Sequence, residues 1–128
     1  MRFLLDTHAF IWWDSAPDRL SEKALLAIQE SDNKILLSVA SVWEMQIKTQ
    51  LGKLKLQKPL AELVSAQQNV NGIELLPIQL RHVLALDSLP LHHKDPFDRL
   101  LIAQAEAENA VLVSNDALIA QYSVDLVW

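Results

Sequence analysis

The chain has 128 residues, 51% of them hydrophobic, with a formal net charge of -5 and no cysteine. That length leads to the expectation of one domain with a real core and no second one. The acidic balance disfavours indiscriminate nucleic-acid binding, and the lack of cysteine excludes disulfides, thiolate zinc sites and thiol nucleophiles. No apolar run approaches the roughly eighteen residues of a membrane span, and Met1-Arg2 leads straight into a strand pattern, so a cytoplasmic protein is expected.

The predicted elements alternate along the chain. Arg2–Leu5 reads as a short apolar strand that ends on a carboxylate, Asp6, after which a helix runs through Trp13. Pro17 introduces a second helix, Ser21 to about Ser31. Lys34–Ser38 is the second strand, and the helix after it carries Trp43, Glu44, Ile47 and Leu51 and stops at Gly52. Pro59–Asn71 is a helix ended by Gly72, Ile73–Leu76 a short strand, Gln79–Leu89 a helix, Pro90–Asp95 a loop and Pro96–Asn109 a helix. A strand at Ala110–Ser114, a short helix at Asp116–Tyr122 and a last strand at Val124–Trp128 complete the pattern. Apolar strands separated by helices describe a mainly parallel sheet covered on both faces, a three-layer α/β/α domain over residues 1–128. Ligands of such sheets bind beyond the carboxyl ends of the strands.

Four acids stand out by position. Asp6 and Asp116 each lie just beyond an apolar strand. Glu44 shares a helical face with Ala40, Ile47 and Leu51, and Asp98 shares one with Leu101, Ile102 and Ala105. Each has an ordinary reading: Ser41 to Glu44 matches a capping box, Asp95 can cap a helix with Pro96 at its first position, Asp98 suits a helix N-terminus, and Asp116 can cap its short helix. Together the four converge on one edge of the sheet, which capping alone does not require. Carboxylates within about 4–6 Å raise one another's pKa unless a cation holds them. An all-oxygen set, without Cys or a His pair at helical spacing, suits Mg²⁺ or Mn²⁺ rather than zinc. Such ions activate water against a phosphodiester, so hydrolysis of a phosphate ester is expected. So is a metal-free fold that gains stability when acidified enough to protonate one of the clustered acids.

The blocks LLDTHAFIW, SVASVWEMQIKTQLGKL, HHKDPFDRLLIAQA and VLVSNDALIAQY have the order and spacing of PIN-domain ribonucleases. They most resemble the VapC toxins of bacterial toxin–antitoxin pairs, over nearly the whole chain. The resemblance implies that Asp6, Glu44, Asp98 and Asp116 are the catalytic and metal-binding quartet, with Asp95 an alternative third acid. It implies supporting roles for Thr7, beside Asp6, and for Ser114. It further implies a Mg²⁺-dependent endoribonuclease acting on RNA such as tRNA, silenced by a cognate VapB-like antitoxin and working as a homodimer. The alternatives are a PIN fold that only binds RNA or protein, and a stand-alone RNA-processing nuclease.

Outside the quartet, Lys48, Lys53, Lys55 and Lys58 form the most cationic stretch, readable as a solvated edge or as a strip that tracks RNA phosphates. Arg99 is expected to pair with Asp98 or reach a phosphate. Trp12, Trp13 and Trp43 read as core residues, although adjacent tryptophans on a helix cannot both face inward, and an exposed one suits a protein contact. Trp128 is expected to close the last strand against the core. His8, His82, His92 and His93 lack ligand spacing and read as loop or surface residues, with His8 of interest for its place after Asp6 and Thr7.

Overall fold

The strands at the centre of the chain are apolar on both faces because both faces are covered. In the computed structural model, which describes residues 1–128, β1 (Arg2–Leu5), β2 (Lys34–Ser38), β3 (Glu74–Leu76), β4 (Val111–Val113) and β5 (Leu126–Val127) form one sheet of order β3-β2-β1-β4-β5. Every neighbouring pair is parallel. Helices α1 (Thr7–Ser15) and α2 (Glu22–Gln29) connect β1 to β2, α3 (Val39–Gln50) and α4 (Leu60–Asn71) connect β2 to β3, and α5 (Leu80–Leu84) and α6 (Pro96–Ala107) connect β3 to β4.

Strand alternation divides the core in two. Phe3, Leu5, Ile35, Leu37 and Val113 point to one face and pack with Phe10, Met45 and Leu63. Leu4, Leu36 and Leu112 point to the other and pack with Leu101, Ile102, Ala105 and Ile119. The result is the expected three-layer α/β/α architecture. Leu4 and Leu5 are fully buried, each stabilising β1 by roughly 1.5–3 kcal/mol, which fixes the strand that presents Asp6.

Local signals set most helix ends. Ser21 caps α2 through the Ala24 amide, Ser38 caps α3, and Asp95 caps α6 with Pro96 at its first position. Gly72, at φ 67°, ends α4 in the left-handed region. Three expectations are corrected. The helix over Gln79–Leu89 shrinks to α5 and a 3₁₀ turn, Ala85–Ser88, because Leu80, Val83 and Leu84 face solvent while His82 is the residue that packs inward. The short helix at Asp116–Tyr122 is a turn followed by one 3₁₀ turn, Ile119–Gln121. No capping box joins Ser41 to Glu44, since α3 already begins at Val39 and both residues are helix interior.

Candidate active site

Strand order reverses at β1. From there the chain steps outward through β2 and β3 on one side, and β4 and β5 lie on the other, which makes the carboxyl ends of β1 and β4 a topological switch point. Leu5 pairs with Val113, and the Asp6 amide donates to the Val113 carbonyl at 3.0 Å. Asp6 and Ser114 therefore leave the sheet side by side. Asp6 is also the N-cap of α1, its Oδ1 accepting the Ala9 amide at 2.7 Å. Burial pushes its carboxyl above the ordinary range; the Ser114 hydroxyl, the Ala9 amide and His8 counteract this, and Asp116 adds to it.

Glu44 enters from α3 and is buried. Its Oε1 accepts the Thr7 hydroxyl at 2.7 Å and its Oε2 accepts Lys48 Nζ at 2.7 Å. Thr7 Oγ1 also lies 3.0 Å from Ser41 Oγ. Thr7 thus ties α1 to α3 through the acid rather than orienting Asp6. The hydrogen bond to Glu44 raises the Lys48 pKa against the cost of burial, with Glu44, Asp95 and Asp98 adding their charge. Lys48 therefore turns into the acidic site, apart from Lys53, Lys55 and Lys58, which are exposed beyond the end of α3.

The third and fourth acids meet. Asp98 lies in the first turn of α6, while Asp95 caps that helix by accepting the Phe97 and Asp98 amides at 2.8 and 3.2 Å. Burial first, then the charge of Asp95, with smaller contributions from Glu44 and Asp6, pushes Asp98 up to about 7 despite the opposing effect of His93. Asp116 Oδ1 accepts the Leu118 amide at 2.8 Å. Burial works against its ionisation, but hydrogen bonds from His93 and the Leu118 amide hold its carboxyl below the ordinary range. An open cleft of about 220 Å³ lined by Asp6, His8, Trp12, Asn115 and Asp116 gives access.

Asp6 feels the charge of Asp116, and Asp98 that of Glu44 and Asp6, while the groups whose ligand atoms lie within 4.8 Å of one another are His93, Asp98 and Asp116. Crowding and burial leave Asp6 and Asp98 resisting ionisation, and hard carboxylate oxygens short of positive charge are the donor set a divalent cation fits. Asp98 and Asp116 could hold it, with Asp6 near enough to both to add its charge, whereas both Glu44 oxygens accept hydrogen bonds, from Thr7 and Lys48.

Other expectations are corrected. Arg99 pairs with no acid; it donates to the carbonyls of Pro90 and Leu86 at 2.8 and 3.2 Å and to Tyr122 Oη at 3.2 Å. Trp43 is 57% exposed, edge-on to Phe97. Trp12 and Trp13 are partly buried, and Trp12 packs against Trp128. His82 is fully buried, and His93 is buried with its Nε2 3.0 Å from Asp98 Oδ2 and 3.0 Å from Asp116 Oδ2. No periodicity marks His93. Its only local signal is its place two residues before the α6 cap, where its Nδ1 accepts the Asp95 amide at 3.2 Å.

Comparison with known proteins agrees with this architecture. The family model for the PIN domain matches residues 3–124. Ribonuclease VapC22 of Mycobacterium tuberculosis is 31% identical over 115 residues, covering 88% of this chain and 85% of that protein. Among solved structures, VapBC2 from Rickettsia felis bound to a DNA fragment from its promoter superposes with a TM-score of 0.71 at 19% identity, covering 99% of this chain and 98% of the other. DNA-bound VapBC from Salmonella typhimurium gives 0.69 at 14% identity, covering 99% and 97%. At those identities the structural likeness speaks for the fold alone, and it is the family match, joined to the identity with VapC22, that shows this chain to belong to the PIN domain family, among relatives of the VapC ribonucleases.

Proposed function

We propose that the chain is a divalent-metal-dependent endoribonuclease of the VapC toxin kind. The observation that carries this is the approach of Asp98, from the first turn of α6, to Asp116, beyond β4, with their ligand atoms within 4.8 Å and Asp6 at the end of β1 near enough to add its charge, so that burial and like charge push Asp98 up to about 7. A bound Mg²⁺ would lower the pKa of a water and offset charge developing on the phosphodiester; Mn²⁺ offers the same chemistry. Asp6, Asp98 and Asp116 supply the carboxylate oxygens, and Ser114 supports Asp6. Asp95 serves as the cap that holds Asp98 at the start of α6, so Asp98 rather than Asp95 is the third acid. Glu44, gripped by Thr7 and Lys48, completes the acidic wall and places one fixed positive charge beside it.

RNA is the substrate class, in keeping with the ribonuclease VapC22, and tRNA or another translation RNA is the target we favour. Two fold relatives were solved as VapBC complexes, which supports a cognate VapB-like antitoxin as partner. Leu80, Val83 and Leu84 expose one apolar side of α5, which supports a homodimer. The cytoplasm, where translation RNAs reside, is the location this reading requires.

Asp6→Asn tests the proposal without disturbing the fold, since Asn caps a helix as well as Asp does. Cleavage of a single-stranded RNA in Mg²⁺ should be abolished while the circular dichroism spectrum stays that of the parent. An undiminished rate would remove Asp6, and with it this site, from the reaction.

A further inference from the structure

His93 sits inside the acidic centre with its Nε2 3.0 Å from both Asp98 Oδ2 and Asp116 Oδ2. The three groups have the composition of a metal site, their ligand atoms all lying within 4.8 Å of one another. The position of the imidazole proton decides against a ligand role. Nδ1 accepts the Asp95 backbone amide at 3.2 Å, and a backbone N–H can only donate, so Nδ1 is bare and the ring proton lies on Nε2, facing the two carboxylates. A metal-bound histidine has the opposite polarity, a bare nitrogen toward the ion and an N–H toward an outer acceptor. The backbone on either side of the ring is also pinned: the His92 and His93 amides donate to Tyr122 Oη at 3.1 and 3.0 Å, and that hydroxyl donates to the Pro90 carbonyl at 2.7 Å.

We propose that His93 is a positioning residue that stands in for the cation: its Nε2–H bridges Asp98 and Asp116 in the metal-free protein and is displaced when a divalent ion takes those carboxylates. This rests on the metal-dependent reading above, and the two fail differently. A hydrogen-bond donor and an ion that compete for the same oxygens give opposite signs from a donor and ion that cooperate.

Thermal melts of the full chain in EDTA and in saturating Mn²⁺, for the parent, His93→Ala and His93→Gln, read that sign. Without metal, His93→Ala should melt below the parent, because two carboxylates lose their shared donor. His93→Gln, whose amide N–H can still reach them, should recover most of the loss. Mn²⁺ should raise the melting temperature of His93→Ala more than that of the parent, and Mn²⁺ affinity by electron paramagnetic resonance should be at least as tight as the parent's. A smaller Mn²⁺ increment in His93→Ala, or affinity weakened about tenfold or more, as loss of a group that supports the metal causes, would make His93 cooperate with the ion and overturn the proposal. So would a ¹⁴N coupling in pulsed spectra of the Mn²⁺-loaded parent that disappears in His93→Gln. If Mn²⁺ raises none of the three melting temperatures, displacement fails together with the metal-dependent reading itself.

Discussion

Asp98 shows how a single carboxyl can make a fold sensitive to pH. In the folded chain it keeps its proton up to about 7, through burial and the neighbouring charge of Asp95, while in the unfolded chain it ionises near the ordinary carboxylate value of about 3.9. Between those limits the folded state holds the extra proton, so the free energy of unfolding falls as pH rises from about 4 to 7 and levels off above. Asp116 and Glu108 work in the opposite direction, both held below their ordinary values. What they add is in place above the unfolded carboxylate range and is lost only as pH falls through their lower folded values. The contribution of Asp98 therefore falls in the interval from pH 5 to 7, above the range in which Asp116 and Glu108 act. Urea unfolding in EDTA across that interval should show stability declining toward neutrality in the parent and a visibly flatter profile in Asp98→Asn. Equal profiles would mean that Asp98 ionises normally. The acids are nonetheless not bare without metal: Asp6 has the Ala9 amide, Glu44 has Thr7 and Lys48, and Asp98 and Asp116 share His93. Lys48, one turn after Glu44, and the Ala9 amide are local partners, but Thr7 and His93 were not legible, because a hydroxyl from another helix or an imidazole from a loop becomes a neighbour only after the chain has folded.

At the scale of elements, α6 ties the site to the far side of the sheet. Its apolar stripe, Leu101, Ile102 and Ala105, packs on Leu4, Leu36 and Leu112, and its capped start with Asp95-Pro96 was legible because capping is local chemistry. What was not legible is Gln104, fully buried in the middle of the helix. Its Oε1 accepts the Ser38 hydroxyl at 2.6 Å, and its Nε2 donates to the Pro77 carbonyl at 3.3 Å. The same amide lies 3.3 Å from His82 Nδ1, which accepts the Gln79 amide, leaving His82 Nε2 to face Glu108 at 3.2 Å. This chain of hydrogen bonds joins the end of β2, the start of α5 and the end of α6. It also explains why α5 turns a histidine inward and its leucines outward, the inversion that a helical-periodicity reading gets wrong. Gln104→Leu keeps the volume and removes the acceptor of the buried Ser38 O–H, whose oxygen keeps the Ala40 amide, at about 1–3 kcal/mol for a buried donor left without a partner, while the carbonyl of Pro77, an exposed residue, loses its donor nearer to solvent. The urea midpoint should fall accordingly with the m-value unchanged. A midpoint within error of the parent would mean that water or a shifted loop satisfies both groups.

For the whole molecule, layer order was legible because apolar strands alternating with helices admit few arrangements. The register that sets Leu5 beside Val113, and hence Asp6 beside Ser114, is a long-range pairing that no local pattern encodes. Charge also has to be judged at this scale. A net charge of -5 and an acidic cleft repel a polyanion, so the RNA substrate proposed above would need a local cationic approach. Lys53, Lys55 and Lys58 are exposed on the segment between α3 and α4, beyond the helix that carries Glu44 into the site, whereas Lys48 is committed to Glu44. Each lysine that neutralises a phosphate of single-stranded RNA adds about 0.7 to the slope of log affinity against log salt concentration. Binding of a labelled single-stranded RNA in EDTA, which would withhold the metal that the proposed reaction needs, should therefore weaken on converting Lys53, Lys55 and Lys58 together to Glu, with the salt slope reduced by about 2 if all three make contact. Lys48→Met should behave differently, because it removes a charge already neutralised by Glu44 and not one offered to solvent. A triple variant with the parent's slope would assign these lysines to the solvated edge and place the RNA path on another face of the cleft.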